Sequence, residues 1–135
     1  MAEIEVSEFG REHLDGTLAL LEAEGWETYT EDPERTQRVL TAPGSTTLVA
    51  LADGVVAGFV QVQSDGEIQA HLSGLLVGER WRGRGISRTL LREGLERAGG
   101  MRMDVISRAE SFYTHLGAET KRAFRLRPPD LRDEA

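Results

Sequence analysis

The sequence predicts one mixed α/β (α+β) domain over residues 1–135, built on a mainly antiparallel central sheet flanked by helices, with a polar tail at 128–135. Three observations predict it. A chain of 135 residues with 39% hydrophobic side chains and no cysteine can bury about two-thirds of its unfolded surface around one core, without a disulfide or metal staple. Three β-rich runs, at 47–52, 55–63 and 68–77, are separated only by Asp53-Gly54 and Ser64-Asp65-Gly66, which is the turn chemistry of an antiparallel meander. After Gly85 the apolar period changes to that of a helix.

The elements follow in order. Ile4 and Val6 form a short first strand, and Leu14, Leu18 and Leu21 mark a first helix that ends near Gly25. Asp32 before Pro33 has the chemistry of a cap and first helical position, opening a second helix to about Leu40. Pro43 and Gly44 then make a loop before the meander. Ile86, Leu90, Leu91, Leu95 and Ala98 are the apolar stripe of a helix that stops at Gly99-Gly100. Met101, Met103 and Val105 alternate as a further strand. Ser107 and Glu110 have capping-box spacing before a short helix whose buried stripe is Ala109, Phe112, Tyr113 and Leu116. The run 118–127 reads as a final strand, and Pro128-Pro129 begins the tail. No repeat, low-complexity tract or domain linker interrupts this order.

Composition excludes several classes of function. Without cysteine there is no thiolate zinc site and no Cys nucleophile. His13, His71 and His115 are far apart and no H-E-x-x-H is present, so no metal is expected. The longest apolar stretch, near Leu48 to Val60, is broken by Asp53 and Gly54 and falls short of the ~18 to 20 residues of a membrane span. The acidic N-terminus has no signal-peptide core, so a cytoplasmic protein is expected. Residues 1–65 hold 3 Arg against 13 acids, net −10, while residues 66–135 hold 13 Arg or Lys against 10 acids, net +3. A basic segment within an acidic chain suits a local anion site, whereas the acidic remainder would repel a nucleic acid.

That segment runs from Leu75-Leu76-Val77 through Arg82-Gly83-Arg84-Gly85-Ile86-Ser87-Arg88: a strand, a glycine turn, then a helix. Two glycines let backbone approach a bulky ligand. The first-turn N–H groups and the positive end of the helix dipole suit a pyrophosphate, with Arg82, Arg84 and Arg88 adding charge. A Walker A loop fails because the one lysine of the chain is Lys121. A dinucleotide fingerprint fails because Arg88 stands at its third glycine.

The remaining match resembles the acyl-CoA loop of the GNAT superfamily of N-acetyltransferases, Q/R-x-x-G-x-G/A, which here spans Arg82 to Ser87. Ser87 stands where the family has Gly or Ala. Val77 lies five residues before the motif arginine, as in the family. Ala109, Phe112, Tyr113, Leu116, Gly117 and Ala118 also match the later pattern A-x-x-F/L-Y-x-x-L-G-F/A in register. An asparagine that many members carry before that helix is missing, since the chain has none, and Ser107 or its neighbours would make that contact.

The resemblance implies splayed fourth and fifth strands with the pantetheine arm between them, paired to the backbone of Leu75 and Val77. It implies acetyl-CoA as donor, a primary amine on a small molecule or protein as acceptor, and direct attack on the thioester. A lysine-like amine is only about one-thousandth neutral near neutral pH, so a base or a water relay must take a proton. His71 stands at the family's base position, eleven residues before Arg82. An imidazole, largely neutral at that pH, can serve; Glu67, at the turn, is the reserve, and His71 could equally line the sheet. Tyr113 matches the family's acid. Trp26 and Tyr29 fall where the acceptor pocket is usually lined, though ordinary packing explains them as well. His13 and His115 are read as surface or structural. The expectation is a cytoplasmic N-acetyltransferase, monomer or homodimer, acting without nucleic acid or membrane. A non-catalytic acyl-CoA-binding module is the alternative.

Overall fold

The structure is a computed structural model describing residues 3–132. Its strands are β1 (Ile4–Glu8), β2 (Ser45–Ala52), β3 (Val55–Ser64), β4 (Gln69–Val77) and β5 (Arg102–Asp104). Its helices are α1 (Leu14–Ala23), α2 (Glu27–Thr30), α3 (Pro33–Leu40), α4 (Ile86–Ala98) and α5 (Glu110–His115). Residues up to Val105 form one compact unit and those from Ile106 a second.

The first unit holds a five-stranded sheet in the order β1-β2-β3-β4-β5, antiparallel except for the β4–β5 pair. Side chains alternate across a sheet, so its two faces recruit different helices. One face presents Val49 and Phe59 to Leu14, Leu21 and Leu40 of α1 and α3. The other presents Val60 and Val62 to α4, whose Ile86, Leu90 and Leu91 are buried. Gly94 lets α4 lie close, because a Cβ there would come 3.2 Å from a methyl of Val62. Leu90 is fully buried, and burial of such a side chain contributes about 1.5–3 kcal/mol.

Local chemistry fixes the ends of the elements. Asp32 caps α3 by accepting the Arg35 N–H at 3.1 Å, with Pro33 at the first helical position. Buried Thr47 donates from Oγ1 to the Leu40 carbonyl at 2.6 Å, tying the end of α3 to β2. Asp65 gathers the N–H groups of Ile68, Glu67 and Gln69 at the β3–β4 turn, and these bonds hold its carboxyl below its ordinary pKa.

Four sequence expectations are corrected. Helix α2 was not anticipated: four residues are too few for an apolar period to register. Of the alternating Met101, Met103 and Val105, only Met103 lies in β5, because the parallel pairing lasts for three residues, 69–71 against 102–104. Helix α5 starts at Glu110 with Ala109 as its cap, while Ser107 accepts the Ala109 N–H at 3.0 Å from outside the helix. Its expected stripe is half-buried at Phe112 and Tyr113 and exposed at Ala109 and Leu116. Residues 118–127 form no strand, and Phe124 is 87% exposed. A strand exists by virtue of its ladder, and the alternation of Phe124 and Leu126 supplies no partner. Pro128–Leu131 makes one 3-10 turn, while 133–135, the rest of the expected tail, lie outside the described residues.

Candidate active site

The first unit places the glycine turn and the divergence of two strands around β4. Gly78 N–H donates to the Ala57 carbonyl at 2.8 Å, and the register continues without interruption from there to Gln61 opposite Gly74. Since alternate residues of an antiparallel strand bond to the partner, Leu76 and Gly74 turn their amide groups to β3, and Leu75 and Val77 turn theirs to the opposite edge. On that edge β5 pairs with β4 no further than His71. The backbone of Leu75 and Val77 therefore faces an edge with no strand partner among the described residues. The Val77 carbonyl accepts one bond there, from Arg82 Nε at 3.0 Å.

Arg82 is a tether. Besides Val77 it pairs with Glu24, just past α1, so its charge is already engaged. Gly83 and Gly85 adopt φ of +80° and +78°, and a Cβ on either would meet nothing within 4 Å. Glycine is needed for the left-handed turn, and the space above the backbone is open. Gly85 caps α4 with no side chain; the first helical bond is Thr89 N–H to the Gly85 carbonyl at 3.1 Å. The amides of Ile86, Ser87 and Arg88 precede it and are free of intrahelical partners. Arg84 and Arg88 are exposed and make no ion pair among the described residues. Arg84 also lines a cavity of about 290 Å³ with Ile4, Val6, Ile86, Thr89 and Glu93, bounded by β1 and α4.

His71 is exposed on β4, opposite Gln63 of β3 and Asp104 of β5. The register gives it the sheet face of Phe59 and Leu76, covered by α1 to α3. Next to it β4 bulges: Gln61 faces Gly74 and Val62 faces Leu72, leaving Ser73 as the extra residue, its Oγ donating to Gln63 Oε1 at 2.8 Å. Trp26 and Tyr29 are half-buried on the same face. Their ring centroids are 5.8 Å apart, and Trp26 meets Phe59 edge-on at 6.3 Å. Gly74 permits this approach, since a Cβ there would crowd Phe59 at 3.1 Å and Trp26 at 3.4 Å. Glu67 is exposed at the turn. His13 accepts the Gly10 N–H at Nδ1, 2.9 Å, beside Phe9, a structural role.

In the second unit Tyr113 is half-buried against Phe112, ring centroids 4.9 Å apart. Burial pushes its phenol pKa up, and a hydrogen bond with Ser107 offsets this in part. His115 is exposed, its Nδ1 2.7 Å from the Ser111 carbonyl. Two partners escaped the sequence reading: Glu24, 58 positions from the arginine it holds, and Asp104, which only the register brings beside His71.

No helix among the described residues is long and apolar enough to cross a membrane. The model of the acetyltransferase (GNAT) family matches residues 5–118. Among solved structures, a candidate acetyltransferase from Deinococcus radiodurans R1 is 30% identical, with 96% of this chain and 95% of that chain covered and a TM-score of 0.70. An aminoglycoside N-acetyltransferase in complex with CoA is 20% identical, covering 94% and 95%, with a TM-score of 0.75. A ribosomal-protein-alanine N-acetyltransferase from Brucella melitensis biovar Abortus 2308 is 17% identical, covering 91% and 96%, with a TM-score of 0.73. No curated protein matches the chain in sequence. The matched span includes the five-stranded sheet, the glycine turn and Tyr113, and on it the chain belongs to the GNAT acetyltransferase family.

Proposed function

We propose that this protein transfers the acetyl group of acetyl-CoA to a primary amine on a cationic small-molecule or protein acceptor, by direct attack in a ternary complex. The observation that carries the reading is the N-terminus of α4, with three free amides, two left-handed glycines and open space in front of them. A pyrophosphate is the ligand such a terminus suits. Arg84 and Arg88 add charge from unpaired side chains, while Arg82 acts by holding the loop to Val77 and Glu24. The outward amides of Leu75 and Val77, flanking Leu76, fit a pantetheine arm by strand addition.

Acetyl-CoA would supply the activated thioester; the chain holds it and takes one proton from the acceptor ammonium, and the second, lost from nitrogen as the carbon–sulfur bond breaks, goes to the departing thiolate or to solvent. His71 takes the proton of the attacking ammonium, with Glu67 or a water relay as the competing routes. Tyr113 donates a hydrogen bond to the departing sulfur, a role assigned from its place in the family's later motif. Trp26 and Tyr29, on the sheet face of His71, border the acceptor. The structural neighbours' named acceptors, an aminoglycoside and a ribosomal protein's alanine, are both amines. The same reading has the protein working in the cytoplasm, as monomer or homodimer, without a metal, a nucleic acid or a membrane.

An acetyl-CoA-dependent thiol-release screen over an amine library tests the reading. Turnover with any amine excludes a non-catalytic acyl-CoA-binding module. Tight acetyl-CoA binding with no thiol release across the library would leave that module as the function.

A further inference from the structure

Asp104 is the last residue of β5 and the register partner of His71. Neighbouring strands lie about 5 Å apart, and paired residues share a face, so Asp104 and His71 are cross-strand neighbours on one face where the β4–β5 pairing ends. Asp104 is exposed. Its Oδ2 accepts from Gln69 Nε2 at 2.7 Å, and Gln69 Oε1 in turn accepts from Arg102 Nε at 2.6 Å. The amide of Gln69 is thus oriented from both sides, and it fixes the carboxylate in place.

The charge of Asp104 is fixed but not neutralised. Arg102 is the nearest cation in sequence, yet among the described residues it forms no ion pair with Asp104, and its Nε is held by Gln69 Oε1. Asp104 Oδ1 accepts no hydrogen bond from a described residue. By contrast, Glu24 is paired with Arg82, Glu31 and Asp32 with Arg35, and Glu34 with Arg11. An oriented carboxylate with a vacant oxygen suits an ammonium.

We propose that Asp104 binds a second cationic group of the acceptor, so that the preferred substrates are diamines or polyamine-like compounds in which one amine reacts beside His71 and a neighbouring ammonium pairs with Asp104. The proposal rests on the acetyl-transfer reading and adds the substrate class. A short alkyl spacer between the two nitrogens matches the separation of neighbouring strands.

The test compares diaminobutane with aminobutanol, which has the same chain but one cation. Per reactive amine, wild type should favour diaminobutane in kcat/KM by about three- to fivefold, the range of an exposed ion pair, with the difference in KM. Asp104→Asn should bring the ratio close to one, Asp104→Glu should keep part of it, and both should melt as wild type. A ratio unchanged in Asp104→Asn, or no preference in wild type, overturns the proposal. Diaminobutane titrated into nitrogen-15-labelled protein gives a readout independent of turnover. It should shift the Asp104 amide in wild type and much less in Asp104→Asn. Turnover of no amine together with this shift would reject the acetyl-transfer reading and keep the cation site; absence of the shift would reject the site itself.

Discussion

His71 and Tyr113 carry different amounts of local support. His71 is solvent-exposed at the last register position that β4 shares with β5, so an imidazole there is free to meet an acceptor and is not needed for packing. His71→Ala should lower kcat by about 10²-fold, while the thermal midpoint holds. Nearly normal activity at neutral pH would move the base role to Glu67 or water. Tyr113 is limited by energetics. A thiol of pKa ~8.5 and a phenol of pKa ~10 leave proton transfer uphill by about 2 kcal/mol, and burial raises the phenol further. In the proposed reaction Tyr113 would therefore serve as a hydrogen-bond donor rather than as a full acid, and Tyr113→Phe should cost no more than about 10²-fold in kcat. The sign with pH follows from the raised pKa. The phenol keeps its proton past pH ~10, so the deficit shrinks at high pH because the thiolate leaves unaided, not because Tyr113 ionises. Wild-type kcat in Tyr113→Phe, measured where chemistry limits the rate, would return Tyr113 to packing alone.

At the scale of elements, the turn into α4 is where sequence and structure coincide most closely. Isoleucine to alanine over residues 86–98 spans the helix the apolar period marks out, and the glycines before it have the left-handed backbone that makes glycine necessary. A side chain at Gly85 costs roughly 1–2 kcal/mol for that conformation, less than the 5–15 kcal/mol that typically holds a domain together. Gly85→Val should therefore fold, while its side chain takes up open space at the glycine turn that leads into α4. Acetyl-CoA at a hundredfold excess over Kd stabilises a native protein by about 2.7 kcal/mol, several degrees in Tm. That shift should appear in wild type and vanish in Gly85→Val; an equal shift in a folded variant would place the pyrophosphate elsewhere.

For the whole molecule the charge distribution matters more than the net −7. Two of the three arginines in residues 1–65, Arg11 and Arg35, are spent on neighbouring acids, so the field of that half remains negative. Such a field steers cations and is screened by salt over a Debye length of about 10 Å at 0.1 M. For a cationic acceptor, kcat/KM should fall severalfold between low salt and 0.5 M, and for a neutral one it should stay level. A preference for anionic acceptors in the screen would show that the acidity serves solubility alone.

Local rules were enough for the meander, for α3 with its Asp32 cap, for α4 and for the glycine turn, because each depends on residues within a few positions of one another. His71 entered as a candidate base only through the family resemblance, by its distance from Arg82 along the chain. Local rules could not fix the length of β5, which is set by how far it runs beside β4, nor give 118–127 a ladder, since alternation describes a strand's faces and not its partner. They did not bring Arg82 to Glu24 and the Val77 carbonyl, contacts that depend on segments distant in the chain. Nor could they bring Asp104 beside His71, a pairing across 33 positions of sequence. The physical reason is the same in each case: backbone conformation and apolar period are short-range properties of the chain, whereas ladders, ion pairs and register form only when distant segments meet.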